Sequence, residues 1–182
     1  MSAKFTFVMH SEDRHRALPH KVIIGRNETE TVAHVTLKFL SYAIFYRERL
    51  LIETNLHNEQ IPFVPDLVQL DYELRPGLWI ECGECTLSKL RKLAAKAPGA
   101  EIWVVKRNEQ DARHLLQAME KEDLRQGRYQ ILGLDAGMFR EVAALTDVKN
   151  EVTWYRGEFE PPRLQFEYNG IWFDTGFTHL KH

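Results

Sequence analysis

A strand, helix and strand in the middle of the chain constrain the fold more than any other feature. LWIECG (78–83) reads as a strand, TLSKLRKLAAKA (86–97) carries apolar residues at helical spacing, and EIWVVK (101–106) is a nearly continuous apolar run. A helical crossover joins parallel strands, and a parallel sheet is covered on both faces. The segment therefore predicts a parallel βαβ unit in an α/β fold.

The residues before this unit predict a hairpin and a long helix. Residues 4–10 and 20–24 alternate like two short strands and are joined by a charged loop. Asn27 and Glu30 have the spacing of an N-terminal capping box, and apolar residues then recur at helical period. We expect an opening hairpin, followed by a helix from about Glu28 to Arg49.

A second hairpin is predicted directly ahead of the βαβ unit. The segment PDLVQLDYEL (65–74) precedes LWIECG, and the Arg75-Pro76-Gly77 sequence between them favours a turn. Alternation along 78–83 places Trp79 and Glu81 on one face of the strand and Ile80 and Cys82 on the other.

The remainder of the chain completes a mixed sheet. Helical patterns around residues 111–124 and 135–145 flank a short strand at 129–132, and Asn169-Gly170 fits a type I′ hairpin turn. With 182 residues, one domain spanning residues 1–182 is the default. We predict a mixed central sheet with helices on both faces, extended by the terminal hairpins.

Composition excludes several classes of protein. Lys plus Arg total 24 and Asp plus Glu total 26, a formal charge of −2, so bulk charge does not favour coating of nucleic acid. No apolar stretch approaches the roughly 18 residues of a membrane span, and no secretory leader pattern is present. Two cysteines are too few to form the disulfide framework of a small secreted domain. We expect a cytoplasmic protein that has no membrane partner.

Two acidic residues on the second hairpin are candidates for metal-dependent chemistry. Cleavage of a phosphodiester needs carboxylates that hold Mg²⁺ and a cation that stabilises phosphoryl charge. Asp66 and Glu81 can lie at the same end of the hairpin, and Glu81 stands among apolar neighbours. If the turn is centred at Arg75-Pro76-Gly77, however, Asp71 lies opposite Glu81, so Asp66 and Asp71 remain rival partners.

Pro65-Asp66 and Glu81-Cys82-Gly83, between a long helix and a βαβ crossover, resemble the PD-(D/E)XK nuclease signature. The segment NETETVAHVTLKFLSYAIFYRERL (27–50), WIECG (79–83) and SKLRK (88–92) are similar to the YaeQ family of bacterial proteins. That resemblance implies a nuclease-like core, with Glu28, Asp66 and Glu81 as candidate metal-site residues. Nucleic acid is the expected partner because of the phosphodiester chemistry that the carboxylates suggest.

The chain departs from the signature at its lysine. Gly83 stands two positions after Glu81, where the signature has lysine. Lys89 or Lys92, on the following helix, would have to replace it. Asp66, Glu81, Lys89 and Lys92 are therefore the candidate catalytic residues.

Two alternatives stay open. Because a fold can be retained after its catalytic activity is lost, a nuclease-like scaffold without its lysine can serve as an inactive module that binds nucleic acid or protein. The second alternative is thiol-redox chemistry, because Cys82 and Cys85 form a C-x-x-C pair between a strand and a helix. We predict a degenerate Mg²⁺-dependent nuclease site and retain both alternatives.

Overall fold

The computed structural model describes residues 3–182, which form eleven β-strands in two sheets and four α-helices. The strands are β1 (Ala3–Ser11), β2 (Lys21–Arg26), β3 (Leu50–Ile52), β4 (Leu67–Leu70), β5 (Pro76–Cys82), β6 (Glu101–Lys106), β7 (Tyr129–Gly133), β8 (Lys149–Phe159), β9 (Pro162–Tyr168), β10 (Ile171–Thr175) and β11 (Thr178–Lys181). The helices are α1 (Val32–Phe45), α2 (Leu87–Lys96), α3 (Glu109–Lys121) and α4 (Ala136–Leu145).

The six-stranded sheet has the order β11-β7-β6-β5-β4-β3, and β5, β6 and β7 run parallel. This confirms the predicted βαβ unit, because α2 joins β5 to β6. The apolar run of β6 is explained by burial on two sides. Trp103 and Val105 pack in the core that contains α1, whereas Ile102 and Val104 pack in the core that contains α2 and α3.

The terminal hairpins form a second, five-stranded sheet in the order β10-β9-β8-β1-β2. The expectation that they would extend the central sheet is wrong, because β1 pairs in parallel with β8 and not with the central strands. Phe5, Phe7 and Met9 alternate toward the core. Phe7 stacks on Phe39 of α1 with ring centroids 4.1 Å apart. The layers are therefore sheet, helices α1 and α4, sheet, and helices α2 and α3.

Helix α1 lies between the two sheets, and its residues from Val35 to Phe45 are all buried. It begins at Val32 with Thr31 as N-cap, and not at Glu28 as predicted. Thr31 Oγ1 accepts a hydrogen bond from the backbone N–H of His34, which satisfies a free donor of the first turn. Glu30 does reach back to the N–H of Asn27 at 3.2 Å, but this contact closes the turn before the helix.

The β4–β5 hairpin turns at residues 71–75, so Pro76 and Gly77 belong to β5 and the predicted turn is wrong. Asp71 Oδ1 accepts hydrogen bonds of 2.9 Å from the N–H groups of both Glu73 and Arg75, which closes the chain earlier. Leu67 pairs with Ile80. Continuing that register places Asp66, and not Asp71, opposite Glu81.

Several local predictions are confirmed. Thr86 caps α2, and helices α3 and α4 flank β7. Asn169 and Gly170 have φ of 49° and 83°, as a type I′ turn requires. Across residues 3–182, none of the helices is both long enough and apolar enough to cross a membrane.

Candidate functional site

A polar cleft opens where the chain enters α1 and where β4 and β5 meet. It has a volume of about 440 Å³, and its lining includes Glu30, His34, Glu53, Asp66 and Arg107. The carboxyl ends of β5 and β6 border this region, which is where open α/β sheets usually bind ligands. The sheet register and the start of α1 together place acidic groups from three separate chain segments, Glu30, Glu53 and Asp66, along this cleft.

Asp66 is fixed by the end of strand β5. Its Oδ2 accepts a 2.7 Å hydrogen bond from the backbone N–H of Cys82. Its Oδ1 faces His34 Nε2 at 3.6 Å, a separation longer than a hydrogen bond. One carboxylate oxygen is therefore committed to the backbone, and the other faces the cleft.

Glu81 lies on the opposite face of the sheet from α1 and is only 4% exposed. Its Oε1 accepts a hydrogen bond from Trp79 Nε1 at 2.7 Å, and its Oε2 lies 2.8 Å from Lys89 Nζ. Burial raises the pKa of this carboxyl, although the attraction of Lys89 opposes the shift. A carboxylate buried among apolar side chains is thereby provided with two donors.

The predicted lysines and the third acid are placed differently. Lys89 Nζ reaches Glu81, whereas Lys92 is exposed one turn further along α2. Glu28 is exposed in the turn before α1 and is not on the helix. Glu30, two positions later, lines the cleft in its place.

A buried ion network that the sequence analysis missed lies beneath the cleft. Lys38 on α1 is completely buried, and its Nζ lies 2.6 Å from Glu30 Oε1 and 2.7 Å from Glu53 Oε1. Burial opposes the charge on Lys38, but the bonds to Glu30 and Glu53 outweigh it and raise the pKa of the lysine. His34 Nε2 lies 3.3 Å from the same oxygen of Glu30.

One signal for this network was present in the sequence. Glu30, His34 and Lys38 recur every four residues, which places them along one side of the α1 region. Lys38 also interrupts an otherwise apolar helical stretch, where a lysine needs a partner. Glu53 carries no comparable signal, because it follows the short strand β3 and meets Lys38 only through tertiary packing.

The departure at Gly83 has a backbone cause. Gly83 adopts a φ of 81°, in the left-handed region that disfavours other residues. A Cβ atom at this position would lie 3.5 Å from His34 Nδ1. The N–H of Gly83 donates a hydrogen bond to Val105 O at 2.8 Å. A lysine at this position would be strained, so a cation for Glu81 has to come from another element.

The thiol alternative gains no support from the site. Cys82 is buried against α1 with its Sγ 3.3 Å from Ser41 Oγ, and Cys85 is a free thiol. Burial raises the pKa of Cys82, and it raises the pKa of Cys85 to about 12. Reactive cysteines require the opposite shift, because the thiolate is the nucleophile.

Mg²⁺ suits the chemistry of the donors but meets no preassembled cluster. Within residues 3–182, no three His, Cys, Asp or Glu side chains are grouped as a metal site. Asp66 Oδ1, however, faces the cleft, and its contact with His34 Nε2 at 3.6 Å is too long for a hydrogen bond. Hard carboxylate oxygens of this kind are the ligands that Mg²⁺ prefers. Asp66 offers an oxygen of this type, whereas Glu81 would have to give up its contact with Trp79 or Lys89 to bind the ion.

Comparison with known proteins identifies the family. The sequence model described as "YaeQ protein" matches residues 2–155, most of the chain. The chain belongs to the YaeQ family. The resemblance in segments 27–50 and 79–83 is thus confirmed at the level of the family, and no curated protein matches the sequence significantly.

Two solved YaeQ structures share the fold. The YaeQ protein from Xanthomonas axonopodis pv. citri superposes with a TM-score of 0.77 at 18% identity, covering 100% of this chain and 99% of that one. The YaeQ protein from Pseudomonas syringae gives a TM-score of 0.76 at 17% identity, covering 100% and 97%. At such identities, the similarity establishes the architecture of this YaeQ-family chain and leaves its activity open.

Proposed function

We propose that this YaeQ-family chain is a Mg²⁺-dependent hydrolase of phosphodiester bonds and that nucleic acid is its substrate. The observation that carries the proposal is the pairing of Glu81 with Lys89 at 2.8 Å, beside Asp66, which directly precedes the adjoining strand β4. Two carboxylates at the ends of paired strands and a lysine from the following helix resemble the chemical content of the PD-(D/E)XK signature. The lysine comes from α2 and not from position 83.

Metal binding, stabilisation of phosphoryl charge and proton acceptance would fall to different side chains. Asp66 and Glu81 would hold Mg²⁺, with Glu30 replacing Glu28 as the third candidate acid; the bound ion would polarise the phosphoryl group and acidify a water molecule. Lys89 would place its ammonium against the phosphoryl oxygens, where negative charge develops. His34 Nε2, near both Glu30 and Asp66, would accept the proton of the attacking water.

A second candidate function is favoured by one observation. Glu81 is paired with Lys89, while Glu30 and Glu53 are paired with Lys38, so these acids already have internal cations. A charge-compensated network of this kind also suits a scaffold that binds nucleic acid or protein without cleaving it. Binding through basic side chains would then weaken with salt and persist without Mg²⁺.

Cleavage assays combined with calorimetry decide between the two. Single- and double-stranded DNA and RNA are incubated with Mg²⁺ or Mn²⁺ and with wild type, Asp66→Asn or Glu81→Gln. Asp71→Asn serves as the matched control, since Asp71 lies in the exposed turn of the same hairpin. The hydrolase proposal predicts that metal binding and cleavage are lost in the first two variants and kept in the control. Metal-independent binding with no cleavage by any protein would support the second candidate.

A further inference from the structure

A separate cavity of about 390 Å³ opens between the start of α2 and one side of α3. Lys106, the last residue of β6, lines it together with Glu84, Thr86 and His114. We propose that this cavity binds a phosphate group, with Lys106 as its principal cation.

The burial and weak pairing of Lys106 suit an anionic ligand. Its side chain is 8% exposed, and the ion-pair contact that the structure gives it is Glu84 Oε1 at 3.8 Å, which is too long for a hydrogen bond. The Glu84 side chain is itself 99% exposed and free to move away. A lysine whose side chain is largely buried is stabilised by an anion that pairs closely with its ammonium group. Lys38 and Lys89 both have carboxylate partners within 3 Å.

The alternation of β6 explains why the lysine enters this cavity. Ile102 and Val104 face the core formed with α2 and α3. Lys106 continues that alternation beyond the apolar run, at the edge of the sheet where the core ends. It therefore lies on the same face of the sheet as Glu81, one strand away.

Helix α2 adds positive potential to the same space. The ten-residue helix begins beside Lys106, with Thr86 as N-cap and no acidic residue in its first turn. The first N–H groups of a helix lack intrahelical partners and carry the positive end of the helix dipole, which favours phosphate. The helix terminus and the poorly paired lysine are independent features directed at one cavity.

One oxygen of the acidic group on the other wall already accepts a hydrogen bond. Asp111 lines the cavity, but its Oδ2 accepts a hydrogen bond from Asn108 Nδ2 at 3.0 Å. His114 is shared with a larger cavity of about 950 Å³ that also contacts Arg113 and Gln117. A ligand with further groups beyond the phosphate can therefore extend along α3.

The identity of the molecule that carries the phosphate rests on the proposed function, whereas phosphate binding itself does not. A nucleic acid cleaved at Glu81 would place a neighbouring phosphate near Lys106, but a free phosphate or a small phosphorylated compound offers the same chemistry. Phosphate binding is therefore measured in EDTA, where no Mg²⁺-dependent hydrolysis occurs.

Calorimetric titration with inorganic phosphate tests the site directly. Lys106→Met keeps the length of the buried side chain and removes its charge, and Lys92→Met removes an exposed lysine from α2 as the matched control. We expect Lys106→Met to weaken phosphate binding about tenfold or more, as loss of a charge-assisted hydrogen bond predicts. The affinity of the control for phosphate should stay within about twofold of that of wild type.

A second variant keeps the test decisive if Lys106→Met folds poorly. Glu84→Gln alters a fully exposed side chain and removes the competing carboxylate. Phosphate should bind more tightly to this variant than to wild type. Failure of wild type to bind phosphate, unchanged affinity in Lys106→Met, or affinity in Glu84→Gln that is unchanged or weaker would each overturn the proposal.

A short single-stranded oligonucleotide, titrated in the same buffer, distinguishes the two sources of phosphate. If Lys106→Met weakens binding of both ligands, the cavity receives a nucleic-acid phosphate. If only inorganic phosphate is affected, the site takes a small phosphorylated ligand. Asp71→Asn, in the turn of the β4–β5 hairpin, should leave both titrations unchanged. Because neither titration involves Mg²⁺, failure of the phosphate site can be separated from failure of the proposed hydrolysis.

Discussion

Lys89 Nζ lies 2.8 Å from Glu81 Oε2, so helix α2 supplies the cation that the chain lacks at Gly83, directly after β5. Thr86 fixes the start of α2, which places Lys89 in its first turn above the carboxylate. The side chain also lies over the ring of Phe63, 5.6 Å from its centre. Lys89 is thus held by both a charge and an aromatic face.

Replacement of this lysine tests its part in the proposed hydrolysis. Lys89→Met should lower the rate of cleavage by about 10²-fold or more, the usual effect of removing one group that stabilises transition-state charge. Lys92→Met should retain the wild-type rate, because Lys92 is exposed one turn away. Single-turnover cleavage rates measure both, and equal rates for the two variants would contradict the assignment.

The stability of wild type should depend on pH through Glu81. Because burial raises its pKa above the usual 4.5, the folded chain holds this proton more tightly than the unfolded chain. The contribution of Glu81 to stability is therefore complete below about pH 4.5 and is lost as the pH rises through the folded pKa.

Urea unfolding of wild type and Glu81→Gln at pH 4 and pH 7 checks this sign. Relative to wild type, Glu81→Gln should be more stable at pH 7 than at pH 4, since glutamine avoids the cost of the buried charge. A difference between the two proteins that does not change with pH would show that the Glu81 pKa is not raised.

The Lys38 network should contribute to stability regardless of activity. Lys38→Met leaves Glu30 and Glu53 without their cation and should lower the free energy of unfolding by about 3 kcal/mol, as when one partner of a buried pair is removed. Adding Glu30→Gln and Glu53→Gln should recover part of the loss. Additive effects in a urea-unfolding cycle of these variants would mean that the three residues are not coupled.

The cysteines should be unreactive at neutral pH. With the pKa of Cys85 raised to about 12, only a minute thiolate fraction exists at pH 7. Alkylation by iodoacetamide should stay slow and increase up to at least pH 10 without an inflection. An inflection below pH 8 at either Cys82 or Cys85 would restore the thiol-redox alternative.

Two misplaced element boundaries share one physical cause. The Arg75-Pro76-Gly77 turn was favoured by local chemistry, but the side chain of Asp71 closes the chain earlier through two backbone N–H groups. The helix predicted from Glu28 starts at Val32 because Thr31 provides the cap. Several residues compete for each boundary, and local pattern alone ranks them poorly.

The sequence by itself determined the βαβ unit, the Thr86 cap and the Asn169-Gly170 turn, because these depend on side-chain period, capping and backbone preference within a few residues. Tertiary structure alone decided that the terminal hairpins make a second sheet. It also placed Asp66, and not Asp71, opposite Glu81 on the neighbouring strand, and it brought Glu53 into contact with Lys38. Those outcomes depend on strand register and on burial of α1 between two sheets, which join residues far apart in the chain and leave no local pattern.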